Sequence, residues 1–391
     1  MNYAPVQDHM RKQGIDAWLV YDFRGSNPVL AQLLGGKRWT TRRAAMLIPS
    51  NGEPVLLAHG IDGPSFAGVT VRQESYLSWR DLHDWLGKKL RGVHRLAMEY
   101  SPRAELPAAS FVDGGTIELV RSTGVEVVSS ADLIQVCVAR WSPEAQEGHA
   151  VASRKVGAIK DEAFQMIRDR LARGQAVTEF DVQQHILARF KAEGLETPDF
   201  PIVAANANGG DPHHETSEAT AVPIKRDDWI LIDLWARLPG DQNVFSDITW
   251  VGYAGREVPP KHREVFEVVR RARDSSLKLA VDSWKARKTI QGWELDDAAR
   301  NVIIDAGYQR GVRHRTGHSL SPGPLVHGMG MNLDNLETHD TREMLPGIGF
   351  TIEPGIYLPE FGVRLEINVW VDPQQGPVVT SVFQENVVLV A

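Results

Sequence analysis

The sequence predicts an α/β domain at the amino terminus, followed by an α+β domain built from two similar halves. Two observations support this fold class. Residues 1–140 alternate short apolar runs with amphipathic segments, which is typical of a largely apolar sheet covered by helices. Residues 141–391 contain a helix followed by an acid-bearing pair of strands, and then the same order again. A chain of 391 residues is long enough for two such domains.

The first domain is predicted to contain five short strands and two amphipathic helices. The helices are predicted at 79–89 and 103–113. After them, Ser142 can cap a helix and Pro143 suits its first turn, so we expect a long helix from there to about Arg173 and place the domain boundary at 140/141. The strands are predicted at 17–21, 44–48, 55–58, 96–99 and 125–128.

The second domain is predicted to be internally duplicated. The segment 173–195 has a counterpart at 288–308, in which 177–181 matches 292–296. The two helices end at Gly194 and Gly307, and glycine is the residue that most often follows a helix. Weak similarity of this kind also arises by chance between unrelated helices. The acidic pairs that follow each helix favour a true duplication, with a site between the halves.

Each acidic pair lies on two apolar runs joined by a turn-forming stretch. Asp233 and Asp247 have their midpoint at Gly240, and Glu353 and Glu366 have theirs at 359–360. Folded as hairpins, both pairs are expected to place their carboxylates nearly opposite each other on neighbouring strands. A carboxylate buried in a strand is costly unless positive charge meets it. Four converging carboxylates therefore predict bound metal.

Several histidines lie near these acidic pairs. His314 and His318 share one short segment, His327 follows them, and His213 with His214 precedes the first acidic hairpin. Most single histidines are structural or solvated. However, four acids with one imidazole suit two divalent ions about 3.5–4 Å apart, such as manganese, cobalt, iron or zinc. A structural zinc site would more often use several cysteines.

Composition excludes several classes of protein. A hydrophobic content of 42% suits a globular core, and a net charge of −7 with a pI near 6.0 argues against nucleic acid as the partner. The only cysteine, Cys137, lies in an apolar run, where an inert buried thiol is expected; a reducing cytoplasm is the expected compartment. No apolar run approaches the length of a membrane span, so no membrane partner is expected.

The order of these residues resembles the pita-bread metallopeptidase family, which includes methionine aminopeptidase, aminopeptidase P and prolidase. The resemblance covers about 142–391, and the amino-terminal domain is similar to the creatinase/prolidase-type domain of the prolidase and aminopeptidase P branch. The motif residues carry it in the family order Asp…Asp…Gly-His…Glu-Pro-Gly…Arg-x-Glu. In this chain they are Asp233, Asp247, Gly317-His318, Glu353-Pro354-Gly355 and Arg364-Leu365-Glu366.

The resemblance implies two divalent metal ions per chain, with manganese expected and cobalt or zinc as alternatives. By position, Asp233 would hold one metal and Asp247 would bridge both. His318 and Glu353 would bind the second metal, and Glu366 would bridge from the other side.

The resemblance also implies roles for residues around the metals. Glu353 would pass a proton from the attacking water to the leaving amine. His213 and His327 would hold substrate and steady the oxyanion. Arg364 would support the last glutamate as part of the catalytic set, and Tyr357, which matches a tyrosine often found after the Glu-Pro-Gly motif, would bind substrate.

These features predict hydrolysis of the peptide bond before proline, in Xaa-Pro dipeptides. An aminopeptidase P acting on longer peptides is the alternative. A dipeptidase must also recognise a free α-carboxylate, for which Arg364, His314 or the basic cluster at 37–43 are candidates. The resemblance implies a homodimer, in which 35–39 is either a lid from the neighbouring subunit or a solvated basic turn.

The sequence disfavours three of four rival functions. A non-catalytic pita-bread binding module or a metal-independent amidine hydrolase would have lost metal ligands, and all five are present. A structural single-metal or acid-pair site with no turnover stays open, and metal content would separate it, because two ions per chain would exclude it. A nucleotide-binding enzyme would need a glycine fingerprint after a strand, and none is found in the sequence.

Three departures from the family pattern bear on specificity. The connection between Asp233 and Asp247 is longer and lacks a tyrosine, and Trp250 replaces an arginine after Asp-Ile-Thr. The segment between His318 and His327 is expanded. None removes a predicted ligand, so metal binding is expected to persist, while the shape of the pocket is expected to differ.

Overall fold

The computed structural model describes residues 2–390 and divides the chain into two units, Met1–Val138 and Ala139–Ala391. The first unit is a six-stranded sheet with helices packed on it. Its elements in chain order are α1 Ala4–Lys12, β1 Ala17–Phe23, α2 Pro28–Leu33, β2 Arg43–Pro49, β3 Val55–His59, β4 Arg72–Tyr76, α3 Trp79–Lys89, β5 Arg95–Met98, α4 Gly114–Arg121, β6 Glu126–Ser129 and α5 Ala131–Ile134.

The sheet of the first unit is mixed, in the order β4-β3-β2-β1-β5-β6. The strands β1, β2 and β3 pair antiparallel, whereas β4, β5 and β6 each join a parallel neighbour. All five predicted strands are present. The edge strand β4 was not predicted, because its sequence RQESY is polar and mostly exposed, so it carries no apolar signal.

The predicted helix at 103–113 is wrong. Pro102 and Pro107 each begin a short 3₁₀ turn there, because proline favours a first turn but interrupts a longer helix. The helix instead begins after Asp113, whose side chain accepts a hydrogen bond from the Thr116 amide. The thiol of Cys137 is half-buried rather than buried.

A fully buried carboxylate, Glu99, lies at the end of β5. It accepts hydrogen bonds from Trp18 Nε1 at 2.6 Å, Asn27 Nδ2 at 2.8 Å and Ser130 Oγ at 3.1 Å. These donors are all neutral, and burial raises the pKa of Glu99 to about 7. The folded protein therefore holds a proton that the unfolded chain releases above its ordinary pKa of about 4.3.

We expect this proton to make the stability of the chain depend on pH. Because the folded pKa is raised, the stabilisation is complete below about pH 4.3 and is lost as the pH rises towards 7. Urea unfolding of the wild type and of Glu99→Gln, at about pH 5 and about pH 8, measures it. The wild type should lose about 3 kcal/mol relative to the variant across that interval. A constant difference would show that Glu99 titrates normally.

The second unit contains the duplicated elements. Those of its first half are α6 Pro143–Ala172, α7 Glu179–Ala192, β7 Ile202–Ala205, β8 Trp229–Ala236 and β9 Ser246–Tyr253. The remaining elements are α8 Pro260–Lys285, α9 Gly292–Asp305, β10 Ser319–Leu320, β11 Gly349–Ile352, β12 Gly355–Tyr357, β13 Gly362–Arg364, β14 Ile367–Asp372, β15 Gly376–Val379 and β16 Val388–Leu389. No described helix is long and apolar enough to cross a membrane.

Two four-stranded sheets form the two halves of this unit, in the orders β16-β9-β8-β7 and β10-β11-β14-β15, with β12 and β13 as a separate pair. The long helix α6 begins where it was predicted, and its Ser142 side chain accepts a hydrogen bond from the Ala145 amide.

The structure corrects the register of the duplication. Both α7 and α9 have 14 residues and begin with a capping box, formed by Thr178 with Asp181 and by Gln291 with Glu294. Thr178 therefore corresponds to Gln291, which moves the predicted match of 177–181 with 292–296 by two residues. The glycines that follow the helices, Gly194 and Gly307, agree with the corrected register.

The two faces of the β8–β9 hairpin have different surroundings. Even-numbered residues such as Ile232 and Ile248 belong to the apolar core that includes residues of α6 and α7. Odd-numbered residues near the open end, such as Leu231 and Val251, pack in the core that includes residues of α8. Asp233, the next odd-numbered residue on β8, shares the face of Leu231, because side chains alternate along a strand.

Candidate metal centre

The first acidic pair lies on one face of the β8–β9 hairpin. Asp233 is paired with Thr249, and Asp247 is paired with Trp235. The carboxylates are therefore diagonal neighbours rather than directly opposite, and the predicted midpoint at Gly240 is wrong. Diagonal residues of one face remain close enough to interact. Both carboxylates are buried, with 7% and 5% of each residue exposed.

The second acidic pair lies where two strand pairings meet. Ile352 pairs with Ile367 on one side, and Gly355 pairs with Arg364 on the other. Both pairings have the same register, so Glu353 and Glu366 face each other in the gap between them, as predicted. The Glu366 amide donates to Thr249 O at 3.2 Å and the Thr249 hydroxyl donates to Glu366 Oε2 at 2.9 Å, which joins the second pair to β9.

His318 lies between the two acidic pairs. Its Nε2 is 3.4 Å from both Asp247 Oδ2 and Glu353 Oε1, and its Nδ1 is 3.1 Å from Ser319 O. Burial opposes the charged form of His318, but the hydrogen bond to Asp247 and the charge of Glu353 outweigh it and raise the pKa of His318, so Nε2 presents to the acids a proton that a bound cation would replace. The preceding residue must be glycine, because a Cβ on Gly317 would lie 2.1 Å from Thr351 O.

These side chains form a site that fits a cation. Asp247, His318 and Glu366 place ligand atoms within 4.8 Å of one another, and all three are buried. Asp233 Oδ1 and Glu366 Oε1 are buried and have no hydrogen-bond partner. Burial raises the pKa of Asp233 to about 7 despite the adjacent guanidinium of Arg364. Buried oxygens that lack donors are suited to divalent cations.

The two acids of the second pair, Glu353 and Glu366, have pKa values that are shifted in opposite directions. Burial and the neighbouring Asp247 and Glu353 raise the pKa of Glu366 well above its ordinary value. Burial also raises the pKa of Glu353, but His318, His314 and Arg364 outweigh it and lower that pKa overall. Glu353 is therefore the carboxylate that its surroundings favour in the charged form.

Arg364 contacts a different acid from the one predicted. Its Nη2 forms an ion pair with Asp233 Oδ2, and its Nε donates to Thr249 Oγ1 at 2.9 Å. Its Nη1 donates to the Tyr357 hydroxyl at 2.9 Å. Arg364 therefore reaches Glu366 only through Thr249. A buried guanidinium with these partners is not free to bind a substrate carboxylate.

Tyr357 and His314 continue this network away from the acids. The Tyr357 hydroxyl, which accepts from Arg364, lies 2.7 Å from His314 Nε2, and His314 Nδ1 lies 2.6 Å from Arg315 O. Both imidazole nitrogens of His314 are thus occupied, so His314 does not serve as the carboxylate partner that the sequence left open. Tyr357 is buried, and burial raises the pKa of its hydroxyl.

His327 lies over His318, with ring centroids 4.0 Å apart. The neighbouring His318 lowers the pKa of His327, although His327 is itself exposed. Arg315 Nη2 lies 3.4 Å from His327 Nδ1. Because the guanidinium can only donate, His327 Nδ1 is the acceptor and its Nε2 carries the proton.

His213 is exposed, and its amide donates to Asp211 Oδ1 at 3.0 Å. It is near enough to His327 to contribute to the lowering of the pKa of His327. His214 differs, because its Nε2 lies 3.6 Å from Glu179 in the interior.

The position at which Trp250 replaces the arginine of the family pattern does not face this site. Trp250 lies on the opposite face of β9 from Asp247 and Thr249, and packs against the core that includes residues of α6. The ammonium of Lys160 lies 3.4 Å from the centroid of its ring. The departure from the family pattern at this position therefore changes the core beneath the sheet and not the carboxylate cluster.

Three residues near the site were missed from the sequence: Trp235, Arg237 and Arg315. Trp235 lies two residues after Asp233, so the alternation of the strand places it on the same face, and Arg237 follows directly after the strand. That signal was present in the sequence and could have identified Trp235. Arg315 lies in an irregular segment, and no periodicity predicts its contact with His327.

Known proteins resemble the chain over most of its length. It is 26% identical to the probable dipeptidase PepE of Mycobacterium tuberculosis over 86% of this chain and 83% of that one. It is 34% identical to the Xaa-Pro dipeptidase of Lactobacillus delbrueckii subsp. lactis over 56% and 55% of the two chains. The crystal structure of dipeptidase PepE from Mycobacterium ulcerans superposes with a TM-score of 0.70 at 21% identity, covering 99% and 96%.

This likeness confirms the predicted fold, a pita-bread domain preceded by a creatinase/prolidase-type α/β domain. The family model of metallopeptidase family M24 matches residues 151–373, which include all five predicted metal ligands. The chain belongs to metallopeptidase family M24.

Proposed function

We propose that the protein is a dinuclear metallopeptidase that hydrolyses the bond before proline in Xaa-Pro dipeptides. One observation carries the proposal: Asp247, His318 and Glu366 place buried ligand atoms within 4.8 Å of one another, Glu353 lies beside His318, and Asp233 Oδ1 and Glu366 Oε1 are buried without a hydrogen-bond partner. The similarity to an Xaa-Pro dipeptidase and to dipeptidases named PepE supports the dipeptide substrate.

The five residues would hold two divalent ions, and manganese is the ion we propose, with cobalt or zinc as alternatives. The ligands are Asp233, Asp247, His318, Glu353 and Glu366. When bound, such ions acidify a water molecule and polarise the scissile carbonyl.

Glu353 is the residue we assign to proton transfer. Its surroundings lower its pKa, and the Thr351 hydroxyl donates to its Oε1 at 3.0 Å, which fixes the carboxylate. An ionised carboxylate in this position accepts the proton of the attacking water and delivers it to the prolyl nitrogen. That nitrogen must be protonated before it can leave as a secondary amine.

The histidines would support the tetrahedral intermediate. His327 carries its proton on Nε2, and this group can donate a hydrogen bond as charge develops on the carbonyl oxygen. His213 lies near His327 and would help to hold the peptide. Arg364 and Tyr357 would act through Asp233, by holding its carboxylate in place.

Recognition of the free carboxylate of a dipeptide requires a positively charged side chain that is not already paired within the buried network. Arg364 is committed to Asp233, whereas Arg315 contacts the exposed Glu337, with Nη1 3.2 Å from its carboxylate, and also reaches His327. We therefore assign the terminal carboxylate of the dipeptide to Arg315. A guanidinium fork matches a carboxylate in geometry.

Hydrolysis of Gly-Pro, Gly-Pro amide and the tripeptide Gly-Pro-Ala tests the proposal, using metal-stripped protein with and without restored manganese. We expect manganese-dependent cleavage of Gly-Pro, with a much higher KM for the amide. Cleavage of the tripeptide in preference to Gly-Pro would indicate an aminopeptidase P. Failure to cleave any of them with two metals bound would favour a binding module.

We also propose a cytoplasmic homodimer, in which the first unit contributes to oligomerisation and substrate access. Trp39, next to the basic residues Lys37 and Arg38, is 77% exposed, which suits a lid or a contact surface. Sedimentation velocity of the wild type and of Trp39→Ser measures whether the chain is a dimer through this segment.

A further inference from the structure

The site-facing side of β8 continues beyond the predicted ligand. Asp233 and Trp235 lie on one face of β8, Trp235 lies directly opposite Asp247, and Arg237 follows directly after the strand ends at Ala236. The indole is half-buried, and its Nε1 is buried without a hydrogen-bond partner. A large aromatic side chain therefore borders the carboxylate cluster and retains accessible surface, whereas other tryptophans such as Trp18 and Trp229 are fully buried.

Arg237 fixes a loop from the other half of the unit. Its guanidinium is buried, with Nε 2.9 Å from Glu196 Oε1 and Nη2 2.8 Å from Asp241 Oδ1. Nη1 donates to Gly323 O. The guanidinium also lies over the Phe245 ring, 4.6 Å from its centroid. Arg237 thus joins the β8–β9 connection to the expanded segment between His318 and His327.

The expanded segment is a narrow loop with its tip at 322–327. At its base, the Gly328 amide donates to Ser319 O at 2.8 Å, and the Met329 amide donates to Ser321 Oγ at 3.1 Å. The tip is held at Gly323 by Arg237 and at its end by the contact of His327 with His318. Between these two points lies Leu325, which is 64% exposed.

The two attachments place the tip along the same face of β8 that carries Trp235. Arg237 is two residues beyond Trp235 in the chain, and His318 lies beside Asp247, the residue opposite Trp235. The tip therefore spans from one neighbour of the indole to the other. An apolar loop and a half-buried indole on one side of a polar centre are typical of a side-chain pocket.

We propose that Trp235 and the tip at 322–327 form a subsite for the apolar side chain of the residue before proline, and that Arg237 positions the tip. This inference rests on the proposed function, since in an Xaa-Pro dipeptide that side chain is the variable part. Trp235 is a specificity-determining residue, and Arg237 is a positioning residue. Both long connections that depart from the family pattern serve this one subsite.

Trp235→Ala tests the indole by the ratio of kcat/KM for Leu-Pro to that for Gly-Pro. Loss of the apolar wall should lower this ratio by about tenfold, because a buried leucine side chain contributes about that much or more to binding. Trp235→Phe should retain most of the ratio. Trp250→Phe changes a tryptophan on the opposite face of the same hairpin, so it is the matched control and should leave the ratio unchanged.

Arg237→Gln tests the positioning role. It should lower the same ratio at unchanged metal content, because the tip is released while the ligands stay in place. Arg237→Lys keeps the charge but cannot bind Glu196, Asp241 and Gly323 together, so it should fall between the wild type and Arg237→Gln. A loss of activity that is equal for both peptides would show a merely structural role for Arg237.

The subsite can be tested even if the protein does not hydrolyse either peptide. If the wild type cleaves neither peptide, the proposed function fails, and the comparison is made by calorimetric binding of Leu-Pro and Gly-Pro to the manganese-loaded protein. Tighter binding of Leu-Pro that is lost in Trp235→Ala would still support the subsite. A ratio that is the same in Trp235→Ala and wild type, in rate or in binding, overturns the inference.

Discussion

Replacement of Glu353 by glutamine is expected to lower kcat for Gly-Pro hydrolysis by about a hundred- to ten-thousand-fold. The amide has nearly the same shape as the carboxylate but cannot accept and return a proton. The loss should appear in kcat at saturating substrate, because the groups assigned to the peptide, Arg315 and His327, are unchanged. Steady-state kinetics with manganese restored would measure it.

Glu353 is also a predicted ligand, so the metal content of the variant must be measured by mass spectrometry of the same sample. Glu360→Gln is the matched control, because Glu360 is exposed on the same hairpin and should leave kcat unaltered. Full activity of Glu353→Gln with two metals bound would contradict the assignment of proton transfer to this residue.

Replacement of Asp247 by asparagine is expected to abolish the stabilisation of the protein by manganese. In the wild type, ligand at about a thousandfold excess over its Kd contributes about 4 kcal/mol, which corresponds to a rise in Tm of about 5–8 °C. Asp247 is buried among other acids, and its predicted role is to bridge both ions. Without its charge, the thermal transition should hardly respond to manganese.

The same substitution should not destabilise the metal-stripped protein. Burial raises the pKa of Asp247, so its charged form is unfavourable when no cation is present, and an amide removes that cost. Asp305→Asn, at the end of α9, is a surface control and should keep the full response to manganese. A rise in Tm for Asp247→Asn equal to that of the wild type would show that Asp247 is not a ligand.

The parts of the site that were predicted from the sequence are those carried by local motifs. Asp233, Asp247, His318, Glu353 and Glu366 each lie in a short recognisable context, and the structure brings their side chains into one region. The register of the second acidic pair was also predicted, because the midpoint of a symmetric hairpin is enough to determine which residues pair. These features depend on residues close together in the sequence.

The remaining features depend on contacts between distant segments. The register of the first hairpin differs by two residues from the prediction, because its connection at 237–245 is centred on Asp241 and not on Gly240. The partner of Arg364 is Asp233, on a strand of the other half of the unit. Sequence periodicity contains no information about which distant acid a given arginine meets.

The predicted ligands come from both halves of the second unit, two from the β8–β9 hairpin and three from the segments that follow α9. Neither half alone can assemble the cluster, so a fragment that ends before α9 would retain Asp233 and Asp247 without His318. An ion held by both halves would link their unfolding into one cooperative transition. Metal affinity would then report how firmly the two halves of this duplicated unit are closed upon each other.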